Sequence, residues 1–287
     1  MPERRKPDFE LEAALWGAGF RRVAGVDEAG RGPLAGPVVV AAVILPREWP
    51  RQIALDDSKR MTPAARETAF AEIRRRATAY RIAVVSAREI DRINILRATL
   101  VGMARAVAGL NGPADGVLVD GNQAPAVAVP CRTVVGGDGL SLSIAAASVL
   151  AKVVRDRLMR VYDRRYPGWG FAAHKGYPTE AHRAALARLG PSPIHRRTFA
   201  GCAGPVRAWP AGQEPPARSG GEDVWPDATE LEAIGLEARG PDTVSGGFPE
   251  SRTTPAGWAR ISPPDSSSGA AAASARGTGA ARRARST

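Results

Sequence analysis

Cysteine is scarce, with Cys131 and Cys202 the only two in 287 residues, far apart and in unlike surroundings. That excludes a disulfide framework, suggests no cysteine-built zinc site, and fits a reducing compartment. Long apolar runs are missing too. The longest, Gly36 to Leu45 (GPVVVAAVIL), is about half of what a membrane-spanning helix needs. The opening stretch MPERRKPDFE places no apolar segment behind its charges. Neither a span nor a signal peptide is expected, and the cytoplasm is the expected location. Histidine is limited to His174, His182 and His195, whose spacing is not that of metal ligands; they read as structural or substrate-side groups. No internal repeat is visible.

Charge of one sign, by contrast, is in excess. A formal net charge of +11 points to a polyanionic partner, nucleic acid first and an anionic membrane surface second. Residues 1–200 carry 31 basic and 19 acidic side chains, whereas 201–287 carry 9 and 10, so the basic character belongs to the first part. After Phe199 the composition shifts to Pro, Gly, Ser and Ala, with 10 prolines and 13 glycines in 87 residues, a density at which disorder is the better reading. A folded body over 1–200 and a largely disordered tail over 201–287 are therefore expected. Within the tail, Asp227 to Glu237 (DATELEAIGLE) suits one short helix, of the kind that docks on a partner. The final ARRARST reads as a solvated basic terminus. Removing residues 203–287 should leave the melting temperature and basal activity nearly intact.

In the body, Arg22 to Asp27 (RVAGVD) and Pro37 to Leu45 (PVVVAAVIL) read as paired strands, because β-branched residues run without helical period between Gly and Pro. Thr62 to Arg76 is helical, with Thr62 as N-cap and Pro63 in the first position. Tyr80 to Ser86 returns to strand, Ala87 to Ala108 is helical in two pieces, and Gly116 to Val119 and Cys131 to Val135 are short strands. Ser141 to Arg165 is a long helix, and Thr179 to Leu189 a last one stopped at Gly190-Pro191. This order predicts an α/β layered domain with a mixed sheet flanked by helices.

Chemistry concentrates at strand ends. In GVDEAGRGPLAGP, residues 25 to 37, a strand delivers Asp27 and Glu28 into a glycine- and proline-rich turn. Strand alternation would send the two to opposite faces, so Glu28 is expected where the strand breaks. Asp120 follows the apolar GVLV, and Asp138 follows CRTVV. All stand at the carboxyl ends of strands, where α/β sheets place ligands. Converging carboxylates repel one another and bind cations or share protons. Hard divalent ions fit, magnesium in particular, since it takes one or two carboxylates and leaves its other positions to water and phosphate. Asp156, flanked by Arg155, Arg157 and Arg160 on a helix, reads as a salt-bridged structural group.

On VAGVDEAGRGPLAGPVVVAAVIL (23–45), DDSK (56–59), LVDGN (118–122), Gly137-Asp138, SIAAASVLAKVVRDRLM (143–159), HKGYPT (174–179) and PIHRRTF (193–199), the chain resembles the type 2 ribonucleases H, specifically bacterial ribonuclease HII. The resemblance spans nearly all of residues 20–200 and leaves the tail outside. It implies a ribonuclease H-like fold and a monomer. Asp27, Glu28, Asp120 and Asp138 would be the catalytic, metal-binding carboxylates for Mg²⁺ or Mn²⁺. It implies that Gly30, Arg31 and Gly32, with Tyr177, recognise the ribonucleotide 2′-hydroxyl and the step from RNA to DNA. Glycines let backbone groups approach that hydroxyl, the local feature that tells ribose from deoxyribose, and a tyrosine can stack on the next sugar. Ser58, Lys59, Ser148 and Lys152 are family-matching candidates for phosphate contacts. Leu140 departs from a position often basic in the family, which puts one substrate contact in doubt.

The implied activity is endonucleolytic hydrolysis of the RNA strand in RNA-DNA hybrids, including cleavage 5′ to ribonucleotides in duplex DNA, leaving 3′-hydroxyl and 5′-phosphate ends. A dinucleotide-binding turn at Gly30 to Gly36 fails, because another strand rather than a helix follows and two acids precede the glycines. A non-catalytic RNA-binding protein would explain the charge and Tyr177 but not four strand-end carboxylates facing a polyanion. Whether the tail recruits a partner is open at this stage.

Overall fold

The computed structural model describes residues 6–203 and 228–236, both within one unit, Met1–Thr253. The rest of the expected tail, ARRARST included, lies outside the described residues. Five strands, β1 (Val23–Ala29), β2 (Val38–Ile44), β3 (Ala79–Val85), β4 (Gly116–Asp120) and β5 (Cys131–Val134), form one sheet in the order β3-β2-β1-β4-β5. The sheet is mixed: β1 and β3 pair antiparallel with β2, while β4 lies parallel to both β1 and β5. The helices are α1 (Glu10–Gly17), α2 (Pro63–Arg76), α3 (Ala87–Ile93), α4 (Ile95–Ala108), α5 (Leu142–Arg165), α6 (Phe171–His174), α7 (Glu180–Leu189) and α8 (Ala228–Ala233).

Every residue of β2 is buried, which explains why its sequence is unbroken rather than alternating. Val39, Ala41 and Val43 pack into the core shared with α5. Val40, Ala42 and Ile44 face the other way, toward Met103 and Ala106 of α4. Each valine, isoleucine or methionine among them contributes roughly 1.5–3 kcal/mol by leaving water, and each alanine less than about 1 kcal/mol. The 24-residue α5 is capped by the Ser141 hydroxyl, which accepts from the Ile144 amide, and it presses close to β1 because Gly25 has no side chain. A Cβ there would lie 2.1 Å from the Ser143 carbonyl carbon.

Two elements were not foreseen. In α6 only one turn forms. In α1, Glu12 points inward: its Oε1 accepts from both the hydroxyl and amide of Ser143 and from the Ser141 hydroxyl. The N-terminus of α5, with its free amides and positive dipole end, offsets the cost of burying that carboxylate.

The short helix expected near residue 230 forms as α8, and its partner is the chain's own body. Ile234 is 5% exposed and shares a core with Phe70 and Ile73 of α2 and with α5, while Leu231 and Leu236 pack at its edge. Arg165 bonds Glu230 at 2.8 Å, and Arg157 donates to the Ile234 carbonyl at 3.2 Å. A truncation that removes residues 228–236 is therefore expected to lower stability, where composition alone predicts little effect. Ile234→Ala should cost about 2 kcal/mol and lower the melting temperature by roughly 4–8 °C in thermal denaturation. An unchanged melting temperature would mean that α8 adds nothing to the body's stability.

Candidate active site

Asp27 and Glu28 are consecutive residues of β1, opposite Ala41 and Val40 of β2. The strand does not break at Glu28 as expected; pairing continues to Ala29. What ends there is the other side of the ladder. Pairing between β1 and β4 stops at Val26–Val119, and beyond it Asp120 pairs with Val134 of β5. Two parallel strands thus part at their carboxyl ends, and Asp27, Glu28 and Asp120 stand around the parting, the crevice position expected of α/β sheets. Asp138 comes from the single 3₁₀ turn Gly137–Gly139 that leads into α5. The Gly137 amide donates to Asp120 Oδ1 at 2.7 Å and ties the two acidic loops together.

The electrostatics bind these groups into one site. Burial, then the charges of Glu28 and Asp120, hold the Asp27 carboxyl well above the usual range, and Asp27 is only 4% exposed. Burial also raises Glu28, opposed by Arg31 at 3.5 Å. Asp138 is raised by burial and by Asp57 and Asp120. Asp57, one residue before Ser58, is thus a fifth carboxylate that the sequence reading passed over. Burial works against the charge of Lys59, yet Asp138, Asp57, Asp27 and Asp120 together hold its ammonium above its ordinary value. Among the described residues no three His, Cys, Asp or Glu side chains are already drawn into a closed ligand shell. The donors are nonetheless all hard oxygens, and their mutual repulsion is of the kind a divalent cation relieves, so the residues present suit such an ion.

The proposed recognition residues also come together. Gly30, at φ 101°, leaves room for the Arg155 side chain, whose Nε would lie 2.0 Å from a Cβ at that position. A Cβ on Gly32 would sit 3.8 Å from Tyr177 Cε1, so the turn and the tyrosine ring are neighbours although 145 residues apart in sequence. Tyr177 is 41% exposed. Arg31 reaches outward beside Glu28.

The expected phosphate contacts divide. Lys59 is exposed next to the acids. Ser58 and Ser148 are instead buried and hydrogen-bonded to each other at 2.9 Å, and the Ser148 hydroxyl bonds Asp27. Their geometry steadies a carboxylate rather than offering hydroxyls at the surface. Lys152 bonds Asp156 at 2.7 Å, which gives Asp156 the salt bridge anticipated for it, though with a lysine rather than a flanking arginine.

The family model for ribonuclease HII matches residues 24–202. The chain is 57% identical over 201 residues to ribonuclease HII of Syntrophotalea carbinolica, covering 70% of this chain and 96% of that one. It is 55% identical over 196 residues to ribonuclease HII of Geobacter sulfurreducens, covering 68% and 88%. Among solved structures, the ribonuclease H2 of Pyrococcus horikoshii is similar with a TM-score of 0.51 and 26% identity, over 63% of this chain and 95% of that one.

Proposed function

The chain belongs to the ribonuclease HII family, and from that premise we propose a divalent-metal-dependent endonuclease that hydrolyses the RNA strand of RNA-DNA hybrids and cuts 5′ to ribonucleotides embedded in duplex DNA. The observation that carries the reading is a juxtaposition. A buried carboxylate cluster at the parting of β1 and β4 leads directly, within one turn of chain, to Gly32, beside which the Tyr177 ring lies. A passive RNA binder has no use for such a cluster, which repels the phosphates it would have to approach.

Asp27, Glu28, Asp120 and Asp138 are the residues that would hold Mg²⁺ or Mn²⁺. When bound, such an ion supplies Lewis-acid polarisation of the scissile phosphate and lowers the pKa of the attacking water. The chain's own groups do the rest. Ser148 and the Glu28 amide orient the Asp27 carboxylate. Lys59 brings a positive charge to the edge of the acidic site, where a phosphate must approach. The Gly30–Gly32 backbone meets the 2′-hydroxyl, and the Tyr177 ring stacks on the sugar that follows. The reaction leaves a 3′-hydroxyl and a 5′-phosphate. Among the described residues no helix is long and apolar enough to cross a membrane; the reading places a monomeric enzyme with its substrate in the cytoplasm.

The test is a labelled DNA duplex containing one ribonucleotide, beside an RNA-DNA hybrid and an all-DNA control, with Mg²⁺, Mn²⁺ or EDTA. Cutting of the first two only, and only with metal, is expected. No cutting by folded protein under any metal would overturn the reading. Tyr177→Ala should lower the preference for the single-ribonucleotide duplex over the hybrid by about tenfold, a moderate value for loss of an aromatic stack. Unchanged discrimination would remove Tyr177 from recognition.

Metal also carries a stability signature. Asp27, Glu28 and Asp138 are raised. The stability they contribute is fully present below the ordinary carboxylate range near pH ~4 and is lost as pH rises through their raised folded values. A divalent ion competes with those protons, so the gain in melting temperature on adding Mg²⁺ should grow with pH. Near saturation it should reach roughly 5–10 °C around pH 8 and shrink toward pH 5. Melts with Mg²⁺ and with EDTA check it, and a gain that does not vary with pH would separate the metal from these acids.

A further inference from the structure

The three histidines of the chain form one stacked, hydrogen-bonded group that takes no part in the chemistry above. The rings of His174 and His182 stack with centroids 4.1 Å apart. His182 Nε2 lies 3.0 Å from His195 Nε2, and the Phe171 ring stands edge-on to His182 at 5.7 Å. His182 and His195 are buried.

Backbone amides fix every proton in this group. An amide N–H can only donate, so His174 Nδ1, which receives the Gly176 amide at 3.1 Å, is unprotonated. Its Nε2–H donates to the Trp169 carbonyl at 2.7 Å. In the same way the Ser192 amide donates to His195 Nδ1 at 2.8 Å, which leaves the His195 proton on Nε2, facing His182. His182 Nε2 must then accept, and its own proton sits on Nδ1, 2.9 Å from the carbonyl oxygen of Tyr177. A relay of neutral imidazoles runs from the Ser192 amide to the Tyr177 backbone, and one tautomer of each ring satisfies it. A second proton on His182 would meet the His195 N–H head-on. Consistent with this, burial lowers the His182 pKa and, with His182 and Arg197 nearby, pushes that of His195 down to about 3.

The Tyr177 segment needs this support. Lys175, a non-glycine residue, sits at φ 53° in the left-handed region, which persists only where the surroundings over-determine it. The Tyr177 amide donates to the His174 carbonyl at 2.9 Å, and its carbonyl also accepts from Thr179 at 2.8 Å. The neighbouring residues are held to the turn directly, Gly176 by the Leu34 amide at 2.8 Å and Lys175 by Arg155 at 3.0 Å, while His182 bonds the Tyr177 carbonyl itself and links it, through His195, to the 192–199 segment that pairs with Ala35. We propose that His182 is a positioning residue that sets the register of the Tyr177 ring against the Gly30–Gly32 turn, and so a determinant of specificity for the step from RNA to DNA. The proposal rests on the reading of Tyr177 given above.

The experiment uses the full chain and compares kcat/KM for the single-ribonucleotide duplex with that for the hybrid, in wild type, His182→Leu, His182→Asn, Tyr177→Ala and the His182→Leu/Tyr177→Ala double variant. Leucine keeps apolar volume and removes the donor; the asparagine amide can still donate to the Tyr177 carbonyl. His182→Leu should lower the ratio by about three- to tenfold, the worth of one net hydrogen bond. His182→Asn should stay within about twofold of wild type, and the double variant should lose no more than Tyr177→Ala alone, because both act through one ring. A wild-type ratio in His182→Leu, with the ratio lost in Tyr177→Ala, overturns the proposal and spares the tyrosine. A wild-type ratio in Tyr177→Ala overturns the tyrosine reading and the proposal with it. Equal loss on both substrates reduces His182 to a structural role and also overturns it. Should His182→Leu fail to fold, nitrogen-15 spectra of the wild-type imidazoles decide. Three neutral rings are expected, His182 as the Nδ1–H tautomer and the other two as Nε2–H, and any other assignment sinks the proposal.

Discussion

Asp27→Asn is expected to lower cleavage of every ribonucleotide-containing substrate by about 10³-fold or more, beyond the ~10–100-fold that follows loss of a group merely supporting a metal ligand. The same variant should melt in EDTA at or above the wild-type temperature. Asparagine keeps the size of the side chain and its hydrogen-bonding reach, while the charge that Glu28 and Asp120 repel is gone. The two readouts move in opposite directions, which separates a functional carboxylate from a structural one: removal of a stabilising buried group lowers both. A third readout sharpens the point, since the melting-temperature gain with Mg²⁺ should shrink in Asp27→Asn. Wild-type cleavage by this variant would remove Asp27 from the site, and a lower melting temperature in EDTA would mean that its charge is satisfied in the fold.

How much of this was visible before the structure depends on whether a residue's task is local. Four of the five strands were legible because their apolar runs are bounded by Gly or Pro, β3 by its β-branched run alone, and the acids because each follows or ends such a run. The break expected at Glu28 was placed on the wrong side of the strand, since strand alternation says nothing about which neighbour a strand parts from; β4 leaves, β2 stays. Ser58 and Ser148 matched the pattern of phosphate contacts, but their pairing across 90 residues buries both hydroxyls beside Asp27. The sequence distance hides it. The helix near residue 230 was legible but its docking site was not: Leu231, in α8, and Ile234 and Leu236, just past it, pack into the core that holds Phe70. Least legible were Arg155 and Arg196. In VVRDRLM and PIHRRTF they look like ordinary surface charge, and nothing local to either motif shows which arginine turns inward.

Arg196→Met is the second large effect. The turn from Gly30 to Pro37 keeps one isolated bridge, Ala35 to His195, with the Leu34 carbonyl taken by the Arg196 amide, and otherwise carries carbonyls outside any strand ladder. Two buried guanidinium groups satisfy them instead. Arg196 donates to the carbonyls of Gly36, Arg31 and Gly30 at 3.0, 2.8 and 2.5 Å. Arg155 donates to Pro37, Ala35 and Lys175 at 3.0, 3.1 and 3.0 Å, and so joins the turn to the segment that carries Tyr177. Burial pushes the Arg196 pKa down to about 9 and that of Arg155 to about 10, so both cations are held at a cost that their six acceptors must offset. Methionine fills the volume of Arg196 but strands three carbonyls, each at about 1–3 kcal/mol. The net loss should be on the order of 3–5 kcal/mol, or a fall in melting temperature of roughly 10 °C. Lysine should not rescue it, because a single ammonium cannot span three acceptors that a planar fork of donors reaches together. Cleavage of the hybrid measured well below the melting temperature should survive better than cleavage at a single ribonucleotide, since the acids sit on β1, β4 and the turn before α5 while the Gly30–Gly32 turn, proposed for recognition, hangs from Arg196. A wild-type melting temperature in Arg196→Met would show that water or the remaining chain satisfies those carbonyls. Equal loss on both substrates would show that the turn and the carboxylates move as one.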